Sequence, residues 1–286
     1  MNDVKLGVRP EVEIAGQSGR CRETTIRRPA FLTVSVDDGH SSDLITAELL
    51  CKFGLKATFY IPRSNPERPV MGPSEIRELS TMFDVGGHTL NHTPLSKLPR
   101  DNAWNEIRGC KDWLEDLLGR PAVSFCYPRG KHNQRVRNLV ATARFVGART
   151  CDFNINSFPR DPFRVGVSTH AFSHSVAVQV QHALLQRNLM GLIGFVRTSR
   201  MTTDWESHFR RTLDYVETHG GVAHLYLHSW EIQQRNEWDK LTRVLQDAGG
   251  RTQVVPITNG KLFSLATAAT GTIETLYSKS LTSSGH

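Results

Sequence analysis

The stretch TVSVDDGH, residues 33–40, is an alternating apolar run that ends in two adjacent acids and a glycine. Side chains alternate between the two faces of a strand, so Asp37 and Asp38 can point in different directions and have different tasks. One carboxylate could bind a metal ion while the other moves a proton. The alternative is that the acids and the glycine only form the turn by which the chain leaves a strand.

Short apolar runs alternate with amphipathic stretches along most of the chain. Strands are predicted at FLTVSV, KATFYIP, FDVGGH, AVSFCYP, GARTCDF, GVAHLYLHS and TQVVPI, with helices between them. This alternation predicts an α/β fold with a parallel sheet, either closed into a barrel or doubly wound. In both architectures the functional groups lie at the carboxyl ends of the strands.

The same pattern predicts one main domain, residues 31–265. Residues 1–30 are predicted to be an N-terminal extension, and residues 266–286 a small, polar and loosely ordered tail. Residues 154–203 mix turns, polar patches and apolar segments without a clear period. We therefore expect them to be an insertion with some helix.

The charge of the chain restricts its partners. The net charge of +7 would suit an acidic partner such as nucleic acid, a phosphorylated sugar carrier or a membrane surface. Arg135, Arg137, Arg144 and Arg149 lie among apolar residues at helical spacing, which predicts the exposed face of a packed helix. No basic stretch is interleaved with stacking aromatic residues, so we expect no nucleic acid as a partner.

Cysteine usage and hydropathy indicate the compartment. The five cysteines are widely spaced and form no CxxC pair, which argues against a disulfide framework and indicates a reducing compartment. The first thirty residues carry charges throughout and lack the apolar core of a signal peptide. No later segment has membrane-spanning length. The sequence thus predicts a cytoplasmic protein without a membrane span.

Polar residues stand at the predicted strand ends, namely Asp37, Asp38, His88, Tyr127–Gly130, Asp152 and His228. If the chain turns helical after the third strand, His88 and His92 lie on one face of a single turn. Two imidazoles so placed, together with a carboxylate from another strand, would form a metal site with open positions.

Two other histidine pairs have the same spacing. His170 and His174 lie in the predicted insertion and follow no predicted strand end. His224 and His228 lie within one predicted strand, where four residues separate them by about 13 Å, too far for one metal ion. His88 and His92 are therefore the favoured pair.

In chain order, SVDDG, HTLNH, CYPRG, the aspartate of TCDF, and LYLH resemble the five motifs of the polysaccharide deacetylases. This family is also called carbohydrate esterase family 4 or the NodB-homology domain, and the similarity spans residues 31 to about 228. The resemblance implies a distorted, incomplete (β/α) barrel. It also implies metal-dependent hydrolysis of an N-acetyl group on an amino sugar.

The resemblance implies that Asp38, His88 and His92 bind one divalent metal ion. Zinc is the ion we expect, although one aspartate and two histidines also suit cobalt, nickel, manganese or iron. Asp37 would be the general base, because a carboxylate separate from the metal ligands is needed to accept the proton of the attacking water.

The remaining motifs imply the other catalytic groups. The backbone N–H near Arg129 would face the developing oxyanion. His228 would protonate the leaving amine, and Asp152 would orient this histidine or raise its pKa.

One position departs from the family's pattern. Cys126 stands where the third motif usually begins with an arginine that pairs with the catalytic aspartate. A neutral thiol cannot form this ion pair, so Asp37 must be held by another group, such as Arg129 or Arg63. Cys126 could be a nucleophile, but no histidine that would activate a thiol is evident nearby in sequence, which favours a small core residue.

We predict a deacetylase that acts on an N-acetylhexosamine unit of a soluble or lipid-linked saccharide, which could carry phosphate. One alternative is a related C–N hydrolase of the same fold, either a deformylase or a cyclic amidase. Another is a carbohydrate-binding pseudoenzyme, which the missing arginine at Cys126 would favour. A mere binder has no need of Asp37 beside Asp38, so the complete set of metal and acid–base positions argues against it.

Overall fold

The computed structural model describes residues 28–185 and 188–269. The strands within these ranges are β1 (Ala30–Asp37), β2 (Ala57–Ile61), β3 (Asp84–Gly87), β4 (Ser124–Cys126), β5 (Gly147–Arg149), β6 (Thr169–His170), β7 (Gly221–Leu227) and β8 (Val255–Pro256). The helices are α1 (Asp43–Lys52), α2 (Pro73–Met82), α3 (Arg100–Leu118), α4 (Gln134–Thr142), α5 (Val176–Leu185), α6 (Leu189–Arg197), α7 (Trp205–His219), α8 (Ser229–Gln234) and α9 (Trp238–Gly249), and residues 259–269 are also helical.

The strands form one parallel sheet in the order β5-β4-β3-β2-β1-β7-β6, and β8 pairs with the first part of β1. The sheet curls into a half-barrel with helices around it. In the described part of the chain, β5 is joined to the segment that leads into β6 by an isolated bridge between Arg149 and Val165. The prediction of a distorted, incomplete (β/α) barrel is therefore confirmed.

The central strand β1 is covered on both faces, which is typical of parallel sheets. Leu32, Val34 and Val36 are fully buried in the main apolar core. The residues between them point to the opposite face and have buried hydrogen-bond partners. Thr33 donates to Asn259, and Ser35 bonds the Nε2 of His224 at 2.8 Å. His224 is thus a core residue that contacts Ser35.

Most of the predicted helices and strands are present, and their ends have the expected signals. Helix α3 ends at Gly119, which has a φ of 64° and donates its N–H to the carbonyl of Glu115. Helix α2 carries Pro73 in its first turn, as predicted. No helix among the described residues is long and apolar enough to cross a membrane.

Two predictions need correction. Arg149 does not lie on a helix; it ends β5 and is fully buried. Residues 266–269, predicted as part of the loose tail, continue the last described helix, and Ala266 is buried. The predicted insertion, residues 154–203, contributes β6 to the sheet in addition to the expected helix. The rest of the predicted tail and residues 1–27 of the predicted extension lie outside the described residues.

Asp204, the residue immediately before α7, offers a test of local stability. Asp204 accepts a hydrogen bond from the N–H of Ser207 at 2.9 Å and pairs with Lys240 of α9, also at 2.9 Å. Because loss of an aspartate N-cap leaves a helix N–H unsatisfied, we expect Asp204→Ala to lower the free energy of unfolding by about 1 kcal/mol. Urea denaturation measures this change. Asp204→Asn keeps the capping oxygen and should lose much less; an equal loss in both variants would assign the effect to Lys240.

Candidate functional site

The two acids at the carboxyl end of β1 have different partners, as predicted. Asp37 is the last residue of β1, and its Oδ2 faces the buried guanidinium of Arg149. Asp38 has a φ of 83°, and its Oδ2 accepts a hydrogen bond from Trp230 at 3.0 Å. The next residue, Gly39, also has positive φ, and a Cβ there would lie 2.7 Å from Ile61. The turn therefore positions both carboxylates.

His88 and His92 converge on Asp38, although the chain between them is not helical. Thr89 and His92 have positive φ values of 64° and 54°, so the predicted helical turn is wrong. The Nε2 of His92 nevertheless lies 3.1 Å from Asp38 Oδ1, and the Nε2 of His88 lies 3.7 Å from the same oxygen. Gly86, two residues before His88, lets β3 pack closely against its neighbours, because a Cβ there would lie 2.7 Å from the carbonyl of Ser124.

The protonation of His88 follows from its second ring nitrogen. Its Nδ1 lies 3.0 Å from the carbonyl oxygen of Cys126, which can only accept, so the ring proton is on Nδ1. Burial lowers the pKa of His88 to about 4. A neutral imidazole with its lone pair on Nε2 is the form that binds metal ions. His88 thus presents that nitrogen to Asp38.

Asp37 is held by Arg149, which sequence reasoning missed. Burial alone would raise the pKa of Asp37, but Arg149 and the nearby histidines hold it below its ordinary value. Neither predicted substitute holds Asp37: the exposed side chain of Arg129 pairs with Glu67, and Arg63 is not the arginine that contacts this acid. Its place in the predicted strand GARTCDF indicated that Arg149 lies in the sheet, but not that it contacts Asp37.

The guanidinium of Arg149 reaches Asp37 from β5, the strand that pairs with the strand of Cys126. Arg149 and Cys126 are paired in the register of β4 and β5, and Cys126 Sγ lies 2.8 Å from the guanidinium. The same sulfur lies 3.5 Å from Asp37 Oδ2. Burial raises the pKa of Cys126 well above its ordinary value, so the thiol is neutral, and its full burial agrees with the predicted core role.

His228 follows β7 and faces the acids from the other side of the site. Its Nε2 lies 3.8 Å from Asp38 Oδ2 and 3.0 Å from the hydroxyl of Tyr226. Its Nδ1 lies 2.8 Å from a carboxylate oxygen of Glu231 in the first turn of α8. Burial alone would lower the pKa of His228, but Glu231, Asp38 and Asp37 raise it above its ordinary value.

The predicted contact between Asp152 and His228 is not formed. Asp152 pairs with Arg164 at 3.4 Å, whereas Glu231 is the carboxylate that contacts His228. A histidine at the start of a helix and an acid three residues later are neighbours on the helix surface, and this spacing in HSWE was a usable signal.

His170 also belongs to the site, contrary to the expectation that it follows no strand end. It ends β6, and its Nε2 lies 3.0 Å from the Glu231 oxygen that His228 contacts. Its Nδ1 lies 3.1 Å from His174 Nε2. With two imidazoles close to one oxygen, the pKa of Glu231 falls to about 2, although burial alone would raise it. Glu231 is therefore ionised at neutral pH.

Three groups of side chains within the described ranges are close enough together to hold a metal ion. Asp37, His88 and Cys126 form one group, but Asp37 is already paired with Arg149. Cys126 would also have to lose its proton to bind a metal ion, and burial raises its pKa. His170, His228 and Glu231 form another, whose facing atoms are already joined by hydrogen bonds. Asp38, His88 and His92 fit best, because buried Asp38 Oδ1 faces both imidazoles and makes no well-aligned hydrogen bond.

The architecture is shared with solved deacetylases. A chitin deacetylase from the fungal pathogen Colletotrichum lindemuthianum matches with a TM-score of 0.54 and 14% identity, over 82% of this chain and 88% of that one. A putative polysaccharide deacetylase from Mycobacterium smegmatis matches with a TM-score of 0.52 and 14% identity, over 84% of this chain and 91% of that one. These identities show a common fold.

The sequence matches the family model described as polysaccharide deacetylase over residues 24–148. The Streptococcus pyogenes deacetylase PplD, solved with acetate, is 20% identical with a TM-score of 0.43, over 46% of this chain. This chain spans 61% of its length. A comparison with curated proteins finds no match. The resemblance to the polysaccharide deacetylases is confirmed over residues 24–148, which contain the first three of the five motifs.

The ion pair between Arg149 and Asp37 can be tested without an activity assay. Arg149→Met leaves a buried carboxylate without its cation, so we expect the free energy of unfolding to fall by about 3–5 kcal/mol. In an Asp37→Asn background the same substitution should cost much less, because no charge is left unpaired. Chemical denaturation of the four proteins measures the coupling.

An exchange variant is the matched control for the position of the arginine. Cys126→Arg combined with Arg149→Cys returns the guanidinium to the strand that usually carries it in the family. We expect it to be more stable than Arg149→Cys alone. Equal costs of Arg149→Met in both backgrounds would contradict the proposed coupling.

Proposed function

We propose that the protein is a metal-dependent hydrolase that removes an N-acetyl group from an amino-sugar unit of a saccharide or saccharide precursor. The observation that carries this proposal is the different surroundings of the two adjacent acids. Asp37 is paired with a cation, whereas Asp38 faces two imidazoles. This is the division between a proton acceptor and a metal ligand that metal-dependent amide hydrolysis uses.

Asp38, His88 and His92 would hold the metal ion. Their oxygen and nitrogen donors suit zinc, and also cobalt, nickel, manganese or iron. An ion bound there would polarise the amide carbonyl and acidify a water molecule. Trp230 donates to Asp38 Oδ2 and leaves Oδ1 directed at the two imidazoles. The carbonyl of Cys126 likewise fixes the ring of His88.

Asp37 is the proposed general base. Its Oδ2 is engaged by Arg149, while its buried Oδ1 has no hydrogen-bond partner among the described residues. Oδ1 is therefore the atom that can accept a proton from the attacking water. Because Arg149 lowers the pKa of Asp37, this acid is ionised before each turnover.

His228 is the proposed general acid. Its Nδ1–H donates to Glu231, so the second proton of the imidazolium is on Nε2, the nitrogen that faces Asp38. The raised pKa of His228 favours this charged form. The Nε2 proton would pass to the nitrogen of the leaving amine, which departs poorly without it. Glu231 and His170 are positioning residues for this step.

The remaining roles follow from the same proposal. The backbone N–H near Arg129 stays our candidate for the oxyanion, on a residue whose φ of 56° turns the chain within CYPRG. Asp152 is not proposed as a partner of His228, because it pairs with Arg164. The argument for a carbohydrate-binding pseudoenzyme was the missing arginine at Cys126. Arg149 provides that cation, which removes the argument.

Acetate release from a panel of N-acetylated sugars and nucleotide sugars tests the proposed reaction. Inclusion of N-formyl sugars and small cyclic amides distinguishes a deacetylase from related C–N hydrolases. We expect acetate release that is lost on treatment with a chelator and restored by zinc. Turnover of the formyl or cyclic substrates alone would contradict the proposed acyl group.

The base is tested by Asp37→Asn. The amide keeps the shape of the side chain but cannot accept a proton, so we expect kcat to fall by roughly 10² to 10⁴. Elemental analysis should find the metal content unchanged, because Asp37 is not a ligand. Asp38→Asn is the contrasting variant and should lose metal as well as turnover. Near wild-type turnover in Asp37→Asn would show that another base acts.

The acid and its partner are tested on two substrates. His228→Ala should lower amide hydrolysis by roughly 10² to 10⁴ but affect an activated acetate ester far less, because that leaving group departs without a proton. Glu231→Gln should also lower amide hydrolysis more than ester hydrolysis, but by a smaller factor than His228→Ala. It removes the negative charge that favours the imidazolium form of His228.

Asp152→Asn is the matched control for Glu231→Gln, because it removes one carboxylate that does not contact His228. We expect near wild-type hydrolysis of both substrates. A larger loss in Asp152→Asn than in Glu231→Gln, or equal losses of ester and amide hydrolysis in His228→Ala, would overturn the assignment of the acid side.

A further inference from the structure

Large apolar side chains are exposed where helix α5 ends and helix α6 begins, and the rest of the described chain does not cover them. Leu184 and Leu185 at the end of α5 and Leu189 and Met190 at the start of α6 are 65% to 74% exposed. Ile193 and Val196 continue the exposed face along α6. We name these six side chains the apolar tip.

Helix α6 is apolar on both of its faces. Gly191 and Phe195 are buried against the domain, and Arg197 is the only charged residue of the helix. A helix that is apolar all round is normally buried in protein or in lipid. Contiguous exposed apolar patches mark sites of interaction with protein or membrane. The outward face of α6 therefore calls for a partner.

The charges around the apolar tip indicate the kind of partner. The sequence contains no aspartate or glutamate between Asp161 and Asp204, whereas Arg164, Arg187, Arg197 and Arg200 lie in this interval. Arg197 and Arg200 are exposed. An apolar surface whose own stretch of sequence carries basic but no acidic residues is complementary to a bilayer that contains anionic lipids.

A groove beside the apolar tip is likewise lined by apolar side chains and arginines. It encloses about 810 Å³ and is lined by Met190 and Ile193 of the tip together with Arg28 and Arg197. Two arginines beside apolar side chains match a lipid with a phosphate headgroup and acyl chains. The groove thus extends the complementarity from the tip to the adjoining surface.

From these observations we infer that the apolar tip docks the protein on the surface of an anionic lipid bilayer. The helices lie on the membrane without crossing it, which agrees with the absence of a spanning helix among the described residues. The inference goes beyond the proposed hydrolysis.

Sedimentation with vesicles tests the inference. The full chain is mixed with vesicles of phosphatidylcholine alone or of phosphatidylcholine and phosphatidylglycerol in equal parts. We expect binding to the anionic vesicles that weakens as salt is raised, because salt screens the attraction of the arginines. Retention in the supernatant with anionic vesicles at low salt would overturn the inference.

Two pairs of substitutions locate the binding surface. Leu185→Asp with Met190→Asp should weaken binding to anionic vesicles by about tenfold or more, since both apolar contact and charge complementarity are lost. The matched control, Ile45→Asp with Met82→Asp, places the same two charges at exposed apolar positions of α1 and α2. It should bind like the unchanged protein. Equal binding by both pairs would contradict the proposed surface.

The main competing occupant is a second copy of the chain. Sedimentation equilibrium without lipid detects a dimer, and a dimer that Leu185→Asp with Met190→Asp dissociates, without vesicle binding, would overturn the membrane assignment. The binding assay contains no saccharide, so its result is independent of acetate release. Failure of the proposed hydrolysis and failure of the proposed docking are therefore distinguished.

Discussion

The buried ion pair between Arg149 and Asp37 is the interaction on which the site depends. Arg149 ends β5 and Asp37 ends β1, and these strands are four steps apart in the sheet. At about 4.8 Å per step, a flat sheet would separate them by about 19 Å, further than an arginine side chain reaches. The contact exists because the sheet curls, so the same curvature that makes the half-barrel brings Arg149 to Asp37. Loss of the pair would therefore affect both the half-barrel and Asp37.

The charges of the site explain why its two sides can have different chemistry. On one side Arg149 compensates Asp37, and on the other Glu231 compensates the imidazolium of His228. Asp38 lies between them and faces the neutral ring of His88. It is the acid of this set without a dedicated cation within the described residues, which is the arrangement that the proposed divalent ion would complete. Each proton position is thus fixed by a neighbour.

Sequence reasoning predicted the parts of the site that are local in the chain. The rule that functional groups follow parallel strands selected Asp37, Asp38, His88 and His228, because strand ends can be recognised from a few consecutive residues. It did not predict Arg149 as the partner of Asp37. That contact depends on how far the sheet curls and on which face of β5 the side chain lies, and neither is encoded in a short pattern.

The acid side was harder to predict because it is built from short elements. Strand β6 has two residues and α8 has six, too few for a periodic pattern. Few backbone hydrogen bonds fix such elements, so the side-chain bonds from His170 and His228 to Glu231 hold their relative positions. Removing Glu231 would therefore loosen the acid side, while the ladder of β1, β2 and β3 would still hold the base side.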